Sequence, residues 1–252
     1  PSDKEPNGKD GNLITPNTFG DSPRDWFHVI GHLTCRHNVI AHNEIHHAMT
    51  RLGDGNGIYL SGTGWGNIVE ANYVHDITGW VQSGIRTDDM QWYTSIRGNV
   101  VARINGGGFI LKHVNDLTDN VFVDCVRPGV LLFRRAPSWG ANIKRNILVL
   151  SEIAEGQEPP NPFYGGGFMG DVNQPETDEN LLWCPSNPDH AEHCLAVRRE
   201  AGRDRNSRVG DPRFVDPDHD DYRLRPDSPA YVMGMRSPES WGPRSRVACE
   251  ED

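Results

Sequence analysis

Two short segments hold most of the reactive side chains in this chain. "GIRTDD" (84–89) brings Arg86, Asp88 and Asp89 together, and "GFILKH" (108–113) ends in Lys112 and His113. Two carboxylates at close range raise one another's pKa, the usual route to a proton donor beside a carboxylate base. Cations beside them suit an acidic sugar. Both segments begin at glycine, as do "GIYLSG" (57–62) and "GVLLFRR" (129–135). Counting from those glycines, Ile58, Ile85, Phe109 and Val130 share one column, and Leu60, Thr87, Leu111 and Leu132 another. Both columns are mostly apolar and are expected to point inward, because side chains alternate along a strand. The outward columns are then Tyr59, Arg86, Ile110 and Leu131, followed by Ser61, Asp88, Lys112 and Phe133, with Asp89, His113 and Arg134 one residue further. Stacked strands lie about 4.8 Å apart, so Arg86, Asp88 and Lys112 are expected to touch on a solvent-facing wall.

Such a stripe is either a site or a ladder of surface ion pairs, and exposed pairs contribute little. Density favours a site, since Arg86, Asp88, Asp89, Lys112, His113, Arg134 and Arg135 fall in three consecutive segments. Tyr59, Trp65, Trp80 and Trp92 are suited to stacking on sugar rings, or to packing. His47 and Asp54, just before Tyr59, are further substrate-binding candidates. "HH" (46–47) is a weak metal pair, because adjacent strand residues point to opposite faces.

These segments need a scaffold that sets them side by side. "HNVIAHNEIHH" (37–47), "GNIVEANYVHD" (66–76), "TSIRGNVVARI" (94–104), "VNDLTDNVFVDC" (114–125) and "GANIKRNILVL" (140–150) repeat one pattern. Their inner asparagines, Asn43, Asn72, Asn99, Asn120 and Asn146, are spaced by 29, 27, 21 and 26 residues. Each unit is too short to bury a core alone, so the units must stack. An asparagine at every bend predicts an inward ladder of side-chain amides. Recurrent glycine suits a corner with positive φ. The fold expected is all-β, a right-handed parallel β-helix (solenoid), with a short helix and an extended capping tail at the C-terminus. A β-sandwich also repeats strands and turns, but would make the asparagine column incidental.

Residues 1–24 read as a polar arm, 25–185 as rungs, and 186–252 as a short helix and capping tail. One more rung is expected through "ENLLWC" (179–184), a helix over 191–202 ending at Gly202, and an end cap from "GDPRFVDPDHDDYRLRPDSPA" (210–230). No comparable N-terminal cap is visible, so the chain is expected to be one piece of a longer parent or to have another segment covering that end. Cys184 and Cys194 bracket a polar loop that a disulfide could staple, and His190 and His193 inside it offer a weaker metal reading. Cys35 and Cys125 read as small core residues, and Cys249 lies in a polar tail. The net charge of −10 argues against nucleic acid and anionic membranes as partners. No apolar run reaches the roughly 18 residues of a membrane span.

"NEIHH…GDGNGIYLSG", "GIRTDD", "GNVV…GGGFILKHVN" and "DPRFVDPDHDDYRLRPDSPA" together resemble the bacterial right-handed parallel β-helix enzymes that act on polysaccharides, with the tail similar to that of glycoside hydrolase family 141. The likeness spans roughly residues 30–230. It implies an exported enzyme, secreted or periplasmic, with a polysaccharide or oligosaccharide substrate and no required cofactor. It also implies an acidic residue on the "TDD" strand, matched by Asp88 or Asp89, and a second carboxylate nearby. Related β-helix xylosidases carry a glutamate where this chain has Lys112, so the pair becomes Asp88 with Asp89, or one of them with Asp54. "LKHVN" is similar to the "L-R-H-x-N" strand of polysaccharide lyase family 6, which implies elimination on a uronate polymer with Lys112 and His113 matching the Arg-His pair. The lysine base expected one rung earlier is replaced by Gln91 and Trp92. Ca2+ assists such lyases, and Asp88 with Asp89 could hold it through oxygen ligands. A non-catalytic carbohydrate-binding β-helix is the third reading.

Overall fold

The computed structural model describes residues 35–51, 54–62, 64–79, 83–125, 130–133, 140–152, 163–165 and 175–238. The N-terminal arm, Trp80, Arg134, Arg135 and Cys249 lie outside the described residues.

Each rung lays down three short strands in turn, for example Ser95–Arg97, Val100–Ile104 and Gly107–Leu111. Corresponding strands of successive rungs pair in parallel. The described residues form a first sheet of six strands, a second of seven and a third of five, with a small fourth sheet of three (Cys35–Arg36, Gly64–Trp65 and Gln91–Trp92). This is a parallel β-helix. Its interior is the sum of the inward columns: Val69, Ile96, Leu117 and Ile143 from the first sheet; Val74, Val101, Phe122 and Leu148 from the second; Ile58, Ile85 and Phe109 from the third.

The bend between the first and second sheets explains the asparagines. The residue before each one has a positive φ, namely His42, Ala71, Gly98, Asp119, Arg145 and Glu179 at 48–63°. Only Gly98 is glycine, so the other five bends each carry strain of roughly 1 kcal/mol. The asparagine that follows offsets it. Asn72 donates from its backbone N–H (3.0 Å) and its Nδ2 (2.9 Å) to Oδ1 of Asn99. Asn99 does the same to Asn120, and its Nδ2 also reaches the Val69 carbonyl at 2.9 Å. The ladder runs from Asn43 through Asn146 to Asn180 and ends on the Ser207 hydroxyl. A shorter second ladder starts with Asn38 and Asn67 at the bend from the fourth sheet into the first.

The glycines serve a different purpose from the one expected. Gly57, Gly84 and Gly108 are absent from the positive-φ residues. A Cβ at these positions would lie 2.5 Å from Val74, 2.4 Å from Val101 and 2.5 Å from Phe122. Glycine is needed there because the third sheet starts pressed against the second.

The C-terminal segment also departs from expectation. The strand Leu181–Trp183 supplies the extra rung, and Arg208–Val209 adds another strand beyond residue 185. Between them the helix Pro188–Glu200, capped by the Asn187 side chain, closes the end of the core with Ala191, Cys194 and Leu195. It is pinned by Arg198, whose Nε meets the buried Asp204 carboxylate at 2.8 Å. Tyr164, Thr177 and Ser207 all donate to the same carboxylate. Residues 210–230 are therefore not the end cap. Their antiparallel ribbon, Phe214–Asp216 with Asp221–Leu224, lies along the outside of the second sheet. Phe214, Tyr222 and Leu224 cover an outward column that is itself apolar, Val100, Val121 and Ile147. Arg103 ties the ribbon down through Asp220 (2.7 Å) while holding Asp76 (2.7 and 2.8 Å).

Cys184 and Cys194, the latter on the inward face of the helix, are buried thiols in the core and not a disulfide. His193 points to solvent while Cys194 points inward, so the helix splits the proposed metal set between two faces.

The ladder predicts a stability cost. Asn99→Ala orphans the Asn72 N–H, leaves the Asn72 amide only its bond to the Ile40 carbonyl, and takes the amide donor from the Val69 carbonyl, at roughly 1–3 kcal/mol for each buried group left unsatisfied. A loss of at least about 2 kcal/mol in urea denaturation is expected. Gly84→Ala should cost about 1–3 kcal/mol through overpacking against Val101. A wild-type midpoint for Asn99→Ala would mean that the ladder does not hold the rungs.

Candidate active site

The register of the third sheet aligns Tyr59 with Arg86 and Ile110, and Leu60 with Thr87 and Leu111. The ladder continues past the strand ends, with the Asp88 N–H donating to Leu60 O (2.8 Å) and the Lys112 N–H to Thr87 O (3.1 Å). Asp88 and Lys112 are thereby held side by side on adjacent rungs. The fourth strand does not follow the glycine count. Leu131 pairs with Phe109 and Phe133 with Leu111, one residue out of step with the expected columns. Val130 is the extra residue, its carbonyl accepting from both Gly108 and Phe109.

Asp88 is the centre of the cluster. Its carboxylate meets Arg86 NH2 at 2.7 Å, the Lys112 ammonium and the Tyr59 hydroxyl. Arg86 also reaches Asp54 at 3.1 Å, and its guanidinium lies over the Tyr59 ring at 5.0 Å. Lys112 reaches Asp89 at 2.7 Å. The result is a chain of alternating charge across three rungs: Asp54, Arg86, Asp88, Lys112, Asp89. Its middle is buried and its ends are not. Asp88 is 4% exposed, whereas the side chains of Asp54 and Asp89 are 77% and 73% exposed.

This corrects the expectation that Arg86 and Asp88 face open solvent. They do lie on the outer wall, but Tyr59 and Lys112 roof them, and Ile110 in the same outward column is fully buried. The expected proton donor is corrected too. Burial pushes the Asp88 carboxyl up, but Lys112, Tyr59 and Arg86 outweigh it and hold it below the 3.8 of an ordinary aspartate. Asp88 is a fixed anion. Burial likewise works against the charge on Lys112 and Arg86, and their aspartate partners more than restore it, so both stay cationic. Tyr59 is raised by burial and by Asp88, and keeps its proton.

His113 completes the wall. Burial lowers its pKa below 6.5, with Asp89 only partly opposing, so the imidazole is neutral at neutral pH. Its ring packs on Trp92, with centroids 4.3 Å apart. Trp92 in turn aligns with Trp65 on the preceding rung, and Arg36 lies over Trp65 at 5.1 Å. An aromatic column thus runs along the solenoid axis beside the charged one. The sequence carries its signal in "CRHN", "GWGN" and "QWYT", where Arg36, Trp65 and Trp92 hold the same place before the bend into the first sheet; Arg36 is legible as a member only through this alignment.

Two buried nitrogens of this cluster, Arg86 Nε and His113 Nδ1, have no hydrogen-bond partner. Such orphans are uncommon and point to a missing ligand or a functional compromise. His47 does not join the cluster. It follows the strand Glu44–His46 of the second sheet, and its Nδ1 meets His46 Nδ1 at 2.7 Å. The two imidazoles face each other because His47 has a φ of 53°, which breaks strand alternation. Arg134 lies outside the described residues. A calcium ion does not fit Asp88 with Asp89, because Lys112 already bridges the two carboxylates and Arg86 stands behind the first.

Comparison with protein-family models, with curated proteins and with solved structures yields no match.

The ion pairs have a measurable pH signature. Because the folded pKa of Asp88 is depressed, its contribution to stability is complete above the unfolded value of 3.8 and is lost as pH falls through the folded value. Asp88→Asn is expected to flatten the acid limb of stability against pH. Lys112→Ala should move the Asp88 carboxyl resonance, followed by NMR titration, to higher pH. An Asp88 that titrates above 3.8 in the wild type would contradict the ion-pair geometry.

Proposed function

We propose that this chain is a polysaccharide-degrading enzyme for glycans that carry acidic groups, working on the outer wall of the third sheet. One observation carries the reading. Arg86 and Lys112 are both clamped by a buried anion, yet each keeps an outer valence occupied only by an exposed carboxylate. Exposed ion pairs are worth about 0–1 kcal/mol, so a uronate carboxylate can displace Asp54 or Asp89 at little cost. The inner pairs with Asp88 hold the cations aimed while this exchange occurs. Tyr59, Trp92 and Trp65 add ring faces of the kind sugars stack on.

Of the two chemistries, β-elimination suits the cluster better. It needs a cation on the uronate carboxylate, an unprotonated base for the adjacent carbon-bound proton, and a donor near the leaving oxygen. Arg86 can take the carboxylate in place of Asp54. His113, held neutral by burial and set against Trp92 on the wall, is the base. Lys112 supplies the proton to the glycosidic oxygen as the C–O bond breaks and the carbon–carbon double bond forms. Hydrolysis is the second reading, favoured by the ionised Asp88, whose tyrosine and arginine partners suit a nucleophile or base. It needs a carboxylic acid that keeps its proton at neutral pH, and the best-buried carboxylate of this cluster, Asp88, is driven the other way.

The test is incubation with a panel of acidic and neutral polysaccharides, following reducing ends and the ultraviolet absorbance of an unsaturated uronate together. Elimination predicts both signals, on acidic polymers. His113→Ala and Lys112→Ala should each lower the rate about 10²–10⁴-fold. The kcat/KM profile should fall at acid pH with an inflection below 6.5, as His113 takes up a proton. Asp89→Asn, at the exposed rim, should change the rate far less. Reducing ends alone would select hydrolysis, and binding without either signal would select a non-catalytic module.

A further inference from the structure

A second recess lies away from this wall, where the C-terminal ribbon meets the second sheet. It is a cleft of about 620 Å³. Its floor comes from three successive rungs in register, Val123, Val149 and Trp183. Trp183 is half-buried and stands on the outer face of the sheet, its flank packed against the apolar layer under the ribbon. The corner column of the solenoid forms one side, with Arg103, Asp124 and Ser151. The ribbon and the chain leading into it form the other, with Asp211, Arg213 and Arg225.

We propose that this cleft is a binding site for a neutral sugar residue, separate from the charged wall and independent of the chemistry performed there. The volume falls in the range of small-molecule sites, and three stacked strands give a floor about 10 Å across, enough for a pyranose ring on Trp183. The polar groups around the floor are held in place before any ligand arrives. Asp124 is oriented by the Ser151 N–H (2.7 Å) and hydroxyl (2.9 Å), and Asp211 by the Arg213 N–H at 2.8 Å. Arg225 is steadied by the Val215 carbonyl at 3.0 Å. Each retains further lone pairs or N–H groups, and sugar hydroxyls both donate and accept. Three arginines against four aspartates leave the cleft nearly neutral and slightly acidic. That balance gives no attraction for a uronate, sulfate or phosphate, in contrast to the paired cations of the other wall.

The two sites can be tested separately on the full chain. Isothermal titration with neutral xylo-, gluco-, manno- and galacto-oligosaccharides is expected to show saturable binding for at least one series. Trp183→Ala should weaken that binding at least about tenfold, equivalent to 1.4 kcal/mol. Asp124→Ala, at a half-buried position whose side chain otherwise meets Ser151, should weaken it as well, measured at a temperature below the variant's own melting transition. Lys112→Ala should leave it intact, whether or not the chain proves to cleave acidic glycans. Failure of every neutral series to bind the wild type would overturn the proposal. So would wild-type affinity in both Trp183→Ala and Asp124→Ala, or loss of binding in Lys112→Ala, which would place the neutral sugar on the charged wall instead.

Discussion

Everything in this molecule depends on successive rungs being held in register by buried amides. A parallel sheet alone does not choose its register, since sliding one strand along another preserves the hydrogen-bond pattern while moving each side chain away from its partner. The asparagine column removes that freedom. Asn72, Asn99, Asn120, Asn146 and Asn180 are fully buried, and each accepts from the rung before and donates to the rung after. A slip by one residue would break two hydrogen bonds per rung and leave amides stranded in an apolar interior. The same column pays for the left-handed residue that precedes each asparagine.

Register turns sequence into surface chemistry. Residues about 25 positions apart become neighbours at about 4.8 Å, so like charges in one column would repel. The chain alternates them instead. Arg86 stands between Asp54 and Asp88, and Lys112 between Asp88 and Asp89. At the opposite corner, Asp76, Arg103 and Asp124 occupy equivalent left-handed positions on three rungs, again with the cation in the middle. On the third-sheet wall the alternation runs across neighbouring columns and supports the candidate active site, and in the corner column it fastens the ribbon.

The repeat was legible in the sequence because its signals are local and recur: one asparagine per bend, alternating apolar residues, a glycine before the third strand. Tyr59, Arg86, Asp88 and Lys112 could be placed on one wall by counting, with Asp89 and His113 one residue further; Asp54 read only as a candidate preceding Tyr59. The count failed where its assumption failed. Val130 inserts a residue, so glycine-to-glycine spacing misplaces Leu131 and Leu132. Strand alternation also failed at His47, where a positive φ turns the side chain back onto His46. The position of the tail was not legible at all. Phe214, Tyr222 and Leu224 declare an apolar face, but only the outward valines of the second sheet show what that face covers.

What counting could not supply was the protonation state of Asp88, and this decides which chemistry the wall favours. Two adjacent aspartates read in isolation imply mutual repulsion and a retained proton. That inference holds only where the two carboxylates are each other's main electrostatic environment. Here a lysine bridges them, and an arginine and a phenol approach the buried one from the far side. Donors on three sides outweigh desolvation, and Asp88 becomes the anion that organises the cations around it. A group so committed makes a poor acid and a good anchor. The role of base is then left to whichever neighbour is neither paired nor charged, and among the described residues of this cluster that description fits His113.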